Sequence, residues 1–303
     1  MKKTFYSNGK LLITGEYLVL DGAKALALPT KFGQDLTIEP GNQNEIHWTS
    51  YDDDGSFWFD DTFAFAEIIT KASYENQPVK NMLIVILHEA YLLNPDFIKQ
   101  AEGHTITTHL TFPKFWGLGT SSTLINNMAQ WLEIDAYTLL RNTFGGSGYD
   151  IACAQNDTPI LYQLVDGKPI VKPVAFDPEC ASNIYFVYLN QKQNSKSAIA
   201  AYRSKLNALE KIIPAFDAIT DSILQQNQYD NLEVAIELHE TQMSQILGLP
   251  RIQQTLFSDF KGTVKSLGAW GGDFVLVLSK ENPSQYFRDK GFETLLSYSE
   301  MIL

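Results

Sequence analysis

Apolar residues recur along this chain with two periods, and the changes from one to the other mark its elements. Alternation predicts two short strands within 4–20, on either side of Ser7-Asn8-Gly9-Lys10 and followed by the turn Asp21-Gly22. After a compact apolar run at 25–29 come strands at 32–39 and 45–51. The Asp52–Gly55 segment then predicts a hairpin turn into 56–59. Helical spacing covers 62–72 and 81–93, a strand-like run covers 105–111, and helices follow at 120–132 and 135–143, with another opening near Gly148. A hairpin at 159–164 and 170–174, turning at Asp166-Gly167, marks the candidate domain edge. The second half predicts a strand at 183–189, helices at 195–212, 215–226, 229–247 and 250–258, and strands at 262–267 and 274–278. A short helix near 284–290 and a strand near 292–297 complete it. Strands and helices mixed without strict alternation predict an α+β chain of two lobes, 1–175 and 176–303.

The stretch 105–132 organises the rest. A strand meets Pro113, then the glycine loop Gly117-Leu118-Gly119, then Thr120, Ser121 and Ser122 at the start of an apolar-periodic helix. Glycines permit close backbone approach, and a helix start presents unpaired N–H groups and partial positive charge, so hydroxyls placed there predict an anion site, with phosphate the expected occupant. The bland alternative is a well-capped helix start. No Gly-x(4)-Gly-Lys-[Ser/Thr] loop occurs, and a dinucleotide fingerprint would need a third glycine where Ser122 stands.

Composition narrows the classes. The chain has 303 residues, 45% hydrophobic and 19% charged, enough for one large or two moderate domains. Its net charge of −12 argues against a nucleic-acid partner and makes each cation near a phosphate site informative. The two cysteines, Cys153 and Cys180, lack metal spacing. Met1–Asn8 has no apolar signal core, and no run of 18 apolar residues exists, so no membrane partner and a cytoplasmic location are expected. His88-Glu89 does not continue to a second histidine at metalloprotease spacing, and the Asp52–Asp54 triplet beside Gly55 predicts a solvated turn.

Two further glycine signals stand out. Gly145-Gly146-Ser147-Gly148-Tyr149-Asp150 places one carboxylate at a helix start, and Gly268-Ala269-Trp270-Gly271-Gly272-Asp273 joins two strands. Each has an ordinary reading, as an interhelical loop or a tight hairpin, and Lys10 alone would be a solvated lysine. Taken together and in order, the set Gly9-Lys10…Gly15-Glu16…Asp21-Gly22, Pro113…Gly117–Ser122, Ser147–Asp150 and Lys265…Gly268–Asp273 resembles the GHMP kinases, which act on galactose, homoserine, mevalonate and phosphomevalonate. The likeness spans 9–273, and the Gly-Glu-Tyr, Ser-Gly-Tyr-Asp and Gly-Gly-Asp runs favour the mevalonate and phosphomevalonate branch.

The resemblance implies an N-terminal lobe like ribosomal protein S5 domain 2 and a ferredoxin-like C-terminal lobe, with ATP and a small-molecule acceptor meeting in the cleft between them. It implies that Gly117, Leu118, Gly119, Thr120, Ser121 and Ser122 form the ATP phosphate loop, with Ser121 on the Mg²⁺ side. Asp150 and Lys10 would be the catalytic pair, and Gly268, Gly271 and Gly272 the closing loop. Glu16, Ser147 and Arg141 are candidate acceptor contacts, joined as possible cations by Lys192, Lys196 and Arg203. Asp150 would take the proton of an alcohol acceptor or orient a phosphate acceptor, and Lys10 would offset the transferring charge. Several features depart from the family. Asn8 replaces a common Pro, Trp116 and Thr120 alter the phosphate loop, Ser122 replaces a common Ala, and Trp270 replaces a Gly. The 137–141 neighbourhood holds Arg141 and no acid where mevalonate kinases carry a metal-binding Glu. Those departures keep two alternatives open: a sensor of the same fold that binds without turnover, and a kinase of a sugar or amino alcohol.

Overall fold

The first strand, β1 (Lys3–Leu12), runs unbroken through Ser7-Asn8-Gly9-Lys10, where the sequence pattern predicts a break. The reason is burial. Ser7 and Asn8 lie inside, and the Ser7 hydroxyl donates to Asn127 Oδ1 at 2.7 Å while accepting from Asn126 Nδ2 at 2.8 Å, so protein amides take the place of water. Likewise the apolar run at 25–29 and the strand at 32–39 are one 17-residue strand, β2 (Ala25–Gly41).

The computed structural model describes residues 1–99, 102–191, 202–203, 209–226 and 228–303. They gather into two units. The first holds Met1–Gly9, Phe32–Lys114 and Leu118–Gln155, and the second Lys10–Lys31, Phe115–Gly117 and Asn156–Leu303. These units interleave along the sequence, whereas the sequence reading divides the chain once, at 175/176.

In the first unit, β3 (Glu45–Tyr51) pairs antiparallel with β4 (Phe57–Ala64) and parallel with β5 (Gly103–Leu110), which pairs antiparallel with the Gln34–Gly41 part of β2. Alternate residues of β3 are buried, with Ile46 and Trp48 fully enclosed, as a sheet covered on one face requires. The cover consists of α1 (Phe65–Thr70), α2 (Pro78–Leu93), the short α3 (Asp96–Lys99), α4 (Thr120–Leu132), α5 (Ala136–Thr143) and α6 (Tyr149–Ala154). Ile84, Leu87, Ile125, Met128 and Leu139 meet Leu36, Ile106 and Phe63 in one core. At the Asp52–Gly55 turn, Ser56 N–H donates to Asp54 Oδ1 at 2.8 Å, as a solvated turn would.

The second unit joins the first residues of β2 to the hairpin β6 (Ile160–Val165) and β7 (Lys168–Pro173). Its other sheet has the order β11-β8-β10-β9, formed by β8 (Ile184–Tyr188), β9 (Thr263–Ser266), β10 (Phe274–Leu278) and β11 (Leu295–Ser297). With them go α7 (Leu209–Gln225), α8 (Tyr229–Leu247), α9 (Ile252–Leu256), α10 (Ser284–Asp289) and α11 (Tyr298–Met301). The predicted break near 212–215 is absent: α7 carries Pro214 inside it, held by its buried Phe216, Ile219 and Ile223 face. The helix predicted at 195–212 lies largely outside the described residues. Both cysteines are buried and outside any disulfide, Cys153 on α6 in the first unit and Cys180 in the second. Among the described residues, no helix is long and apolar enough to cross a membrane.

Candidate active site

α4 starts at Thr120, directly after the glycine loop Gly117-Leu118-Gly119. Gly119 is the N-cap at φ +102°, a conformation that suits glycine, and it has no side chain to satisfy the first helical N–H groups. Leu118 is fully buried, so only its backbone can face a ligand. Ser122 is buried and donates its hydroxyl to Gly119 O at 2.8 Å, which leaves Ser122 to contribute backbone alone, whereas Ser121 is exposed. A polar ridge inside the apolar helix sets its rotation. Thr123 donates to Gln34 Oε1 at 2.8 Å, and Asn127 donates to Gln34 O at 2.9 Å.

Asp150 stands in the first turn of α6, behind the N-cap Gly148 at φ +88°. Ile151, Ala152 and Cys153 bury the opposite side of that helix. Asn126 of α4 donates to Ala154 O at 3.4 Å and accepts from Gln155 Nε2 at 3.0 Å, so the phosphate-loop helix and the Asp150 helix are bonded to each other. Burial pushes the Tyr137 phenol up to about 12, with added repulsion from Cys153, Asp135 and Asp150. Ser147 is half-buried in the glycine loop just before α6. Arg141, in the last turn of α5, is exposed and donates to Thr138 Oγ1 at 3.1 Å.

In the second unit, Lys10 Nζ donates to Gly117 O at 3.0 Å, which places the expected catalytic lysine on the loop's first glycine. Gly117 has φ +70°, and a methyl group there would collide with Asp273 Oδ2. Glycine is therefore required twice over, by the backbone and by the carboxylate above it. Tyr188 OH donates to Phe115 O at 3.2 Å, and Trp116 meets Phe274 edge-on at 5.5 Å, so the whole arm before the loop is pinned.

Glu16, expected beside the acceptor, is instead an internal counter-ion, only 3% exposed. Its carboxylate accepts from Lys265 Nζ and lies 3.2 Å from His239 Nε2, both fully buried. Glu240 completes the cluster, 3.8 Å from Lys265 Nζ. Burial alone would raise the Glu16 carboxyl, but Lys265 and His239 outweigh it and hold the group low. Glu240, also buried but less well paired, is pushed up to about 7. Burial lowers His239, and the Lys265 charge lowers it further. Sequence reasoning names Lys265 only as the start of a motif and misses His239 and Glu240. The available signal was Lys265 itself, a lysine in a short strand between Val264 and Ser266.

The closing loop keeps Gly268 and Gly271 at positive φ, with open space beside Gly268. Trp270, which stands where a glycine is common, turns its ring aside. Its indole N–H donates to Pro250 O at 3.0 Å, and the ring packs on the Tyr17, Tyr202 and Leu247 cluster. Its backbone N–H donates to Tyr17 OH at 2.7 Å, and Gly271 O accepts from Gln191 at 2.9 Å. Lys192 and Lys196 lie outside the described residues, and Arg203 is exposed.

No protein-family model matches this sequence, and a search of curated proteins finds no match. Solved structures do match along the whole chain. Mevalonate kinase of Methanococcus jannaschii superposes with a TM-score of 0.70 at 14% identity, over 98% of this chain and 97% of that one. Phosphomevalonate kinase of Streptococcus pneumoniae, solved with phosphomevalonate and AMPPNP, gives 0.69 at 16%, over 97% and 99%. Galactokinase of Lactococcus lactis with galactose gives 0.66 at 12%, over 95% and 88%. The chain has the GHMP kinase fold. The expected α+β class follows with it.

Within this GHMP kinase fold the donor set can be tested against Mg²⁺. Among the described residues, no three or more His, Cys, Asp or Glu side chains are grouped to hold a metal. Mg²⁺ takes one or two carboxylates and completes its shell with water and substrate phosphates. The exposed Ser121 hydroxyl and Asp150, on two bonded helices of one unit, are oxygen donors of the right hardness.

Proposed function

We propose that this chain is an ATP-dependent small-molecule kinase of isoprenoid precursor synthesis, acting on phosphomevalonate or, second, mevalonate. A cytoplasmic location accords with such a role. The observation that carries the reading is the uncapped start of α4 behind two positive-φ glycines, with Lys10 seated on the first of them. Backbone N–H groups of Gly119–Ser122 would bind the nucleotide phosphates, with Ser121 as the hydroxyl toward the metal. Mg²⁺, when bound with ATP, neutralises phosphate charge. Lys10 holds the loop and offsets charge on the transferring group. Asp150 accepts the proton of an alcohol acceptor or orients a phosphate acceptor, with Ser147 and Arg141 as acceptor contacts. Phosphoryl transfer asks little more than such positioning.

Trp270 and the missing metal-binding Glu are the two grounds for a sensor that binds without turnover, and the Trp270 ring packs on Pro250 and the Tyr17 cluster instead of standing in the glycine loop's open space. That placement favours turnover. A coupled ADP-release assay over a panel of acceptors tests the proposal, and release with a mevalonate derivative is the expected result. Turnover of only a sugar or amino alcohol removes the substrate assignment. Nucleotide binding without any turnover replaces the kinase with the sensor.

A further inference from the structure

Tyr17 holds a backbone conformation that a residue with a side chain rarely adopts. Its φ of +60° and ψ of −48° make it the middle of a γ-turn, closed by Leu18 N–H donating to Glu16 O at 2.6 Å. Such a conformation persists only where its surroundings impose it. Here they act from both sides of the turn. On the Glu16 side, Gly15 N–H donates to His239 Nε2 at 3.4 Å, and the Glu16 carboxylate accepts from Lys265 Nζ. Lys265 belongs to β9, the strand that leads into the 268–272 loop, so the turn is fastened to the root of that loop. On the ring side, Tyr17 stacks on Tyr202 at 5.5 Å, and its phenol oxygen accepts from Trp270 N–H at 2.7 Å, in the middle of the same loop.

All of these residues belong to the second unit. The strained turn thus grips the closing loop twice, at its root through Glu16 and Lys265 and at its centre through the Tyr17 hydroxyl. Trp270 adds a further hold, its indole donating to Pro250 O at 3.0 Å, while Gly272 N–H donates to Ala269 O at 2.8 Å within the loop. A segment built on Gly268, Gly271 and Gly272 would otherwise lose much backbone freedom on meeting a ligand. A segment fixed in advance does not carry that cost into binding. Resting on the kinase reading above, in which this loop closes over the nucleotide, we infer that Tyr17 is a positioning residue whose strained turn presets the closing loop, so that nucleotide meets a loop already in place. In this role Tyr17 acts only through the Trp270 backbone and needs no contact with the ligand.

Calorimetry with AMPPNP and Mg²⁺ tests this without an acceptor. Tyr17→Phe keeps the ring and removes the oxygen that holds Trp270, and affinity should fall about tenfold. Tyr202→Phe is the control for structure alone, because the Tyr202 hydroxyl donates to Asp21 Oδ2 at 2.8 Å and not to the loop, while its ring packs in the same cluster. That variant should bind as wild type does, even where its melting temperature falls as far as that of Tyr17→Phe. Trp270→Ala releases the ring anchor from a half-buried position, should weaken binding in the same direction, and serves if Tyr17→Phe does not fold. Equal affinity of Tyr17→Phe and wild type overturns the inference and leaves the kinase reading intact. Equal weakening by Tyr17→Phe and Tyr202→Phe also overturns it, since a general loosening then explains both. A wild type that does not bind AMPPNP takes down the nucleotide reading and this inference with it.

Discussion

The backbone N–H of Trp270 donates to the phenol oxygen of Tyr17 at 2.7 Å, joining the closing glycine loop to the turn that follows Gly15. Tyr17 is 7% exposed, holds φ +60°, and stacks on Tyr202 at 5.5 Å. Tyr17→Phe keeps the ring and removes the acceptor, leaving the Trp270 amide without this partner. The expected cost is about 1–3 kcal/mol, read from urea unfolding, with faster hydrogen exchange at the Trp270 amide. An unchanged midpoint together with unchanged exchange would count against the latch.

Lys265 is enclosed and bonded to Glu16 and to Ser266 O at 2.8 Å. Lys265→Met strands a buried carboxylate, and the loss should be about 3–5 kcal/mol. Adding Glu16→Gln to that variant should recover part of the loss, because the uncompensated charge goes with it. A double variant as unstable as the sum of the two singles would show that the pair is not coupled.

Glu240 supplies a pH signature. Its carboxyl titrates at about 7 when folded and near 4.5 ordinarily, so between those values the folded chain keeps a proton that the unfolded chain has released. Its contribution to stability therefore declines as pH rises through that window and is level above it. His239 works oppositely, since its lowered folded value makes stability rise as pH approaches 6.5. Glu16 acts only below 4.5, where protonation removes its contribution. Glu240→Gln deletes the first effect alone. Its advantage over wild type should grow between pH 5 and 7 to about 3 kcal/mol at most, as read from melting at several pH values. A constant difference would refute the assignment.

Asp150→Asn should lower turnover by about 10²–10⁴-fold while leaving the calorimetric affinity for AMPPNP within about twofold. If affinity falls in step with turnover, Asp150 belongs to nucleotide binding instead. Unaltered turnover would exclude it as the acid–base group.

Much of this was legible in the sequence where local chemistry decides. The helix at 120–132 is legible to the residue, because hydroxyl residues follow Gly119 and the apolar helical period begins at once. The β6–β7 hairpin and the strand pair around the 268–272 loop followed from equally local turns. What failed depends on distant partners. Nothing near Ser7 announces that Asn126 and Asn127 will satisfy it, so a buried strand looked like a turn. Glu16 looked like a ligand contact because its counter-ion sits some 250 residues away, at Lys265. Asp273 was noted only as the end of a motif, since its closeness to Gly117 is a product of folding.

The two buried thiols give the chain an internal gauge. Cys153 belongs to one unit and Cys180 to the other, and both are buried outside any disulfide. A thiol reagent can reach either only when its own surroundings come apart. Pulsed alkylation followed by peptide mass analysis should then time the opening of each half separately, in the unaltered protein, and show whether nucleotide quiets one half before the other.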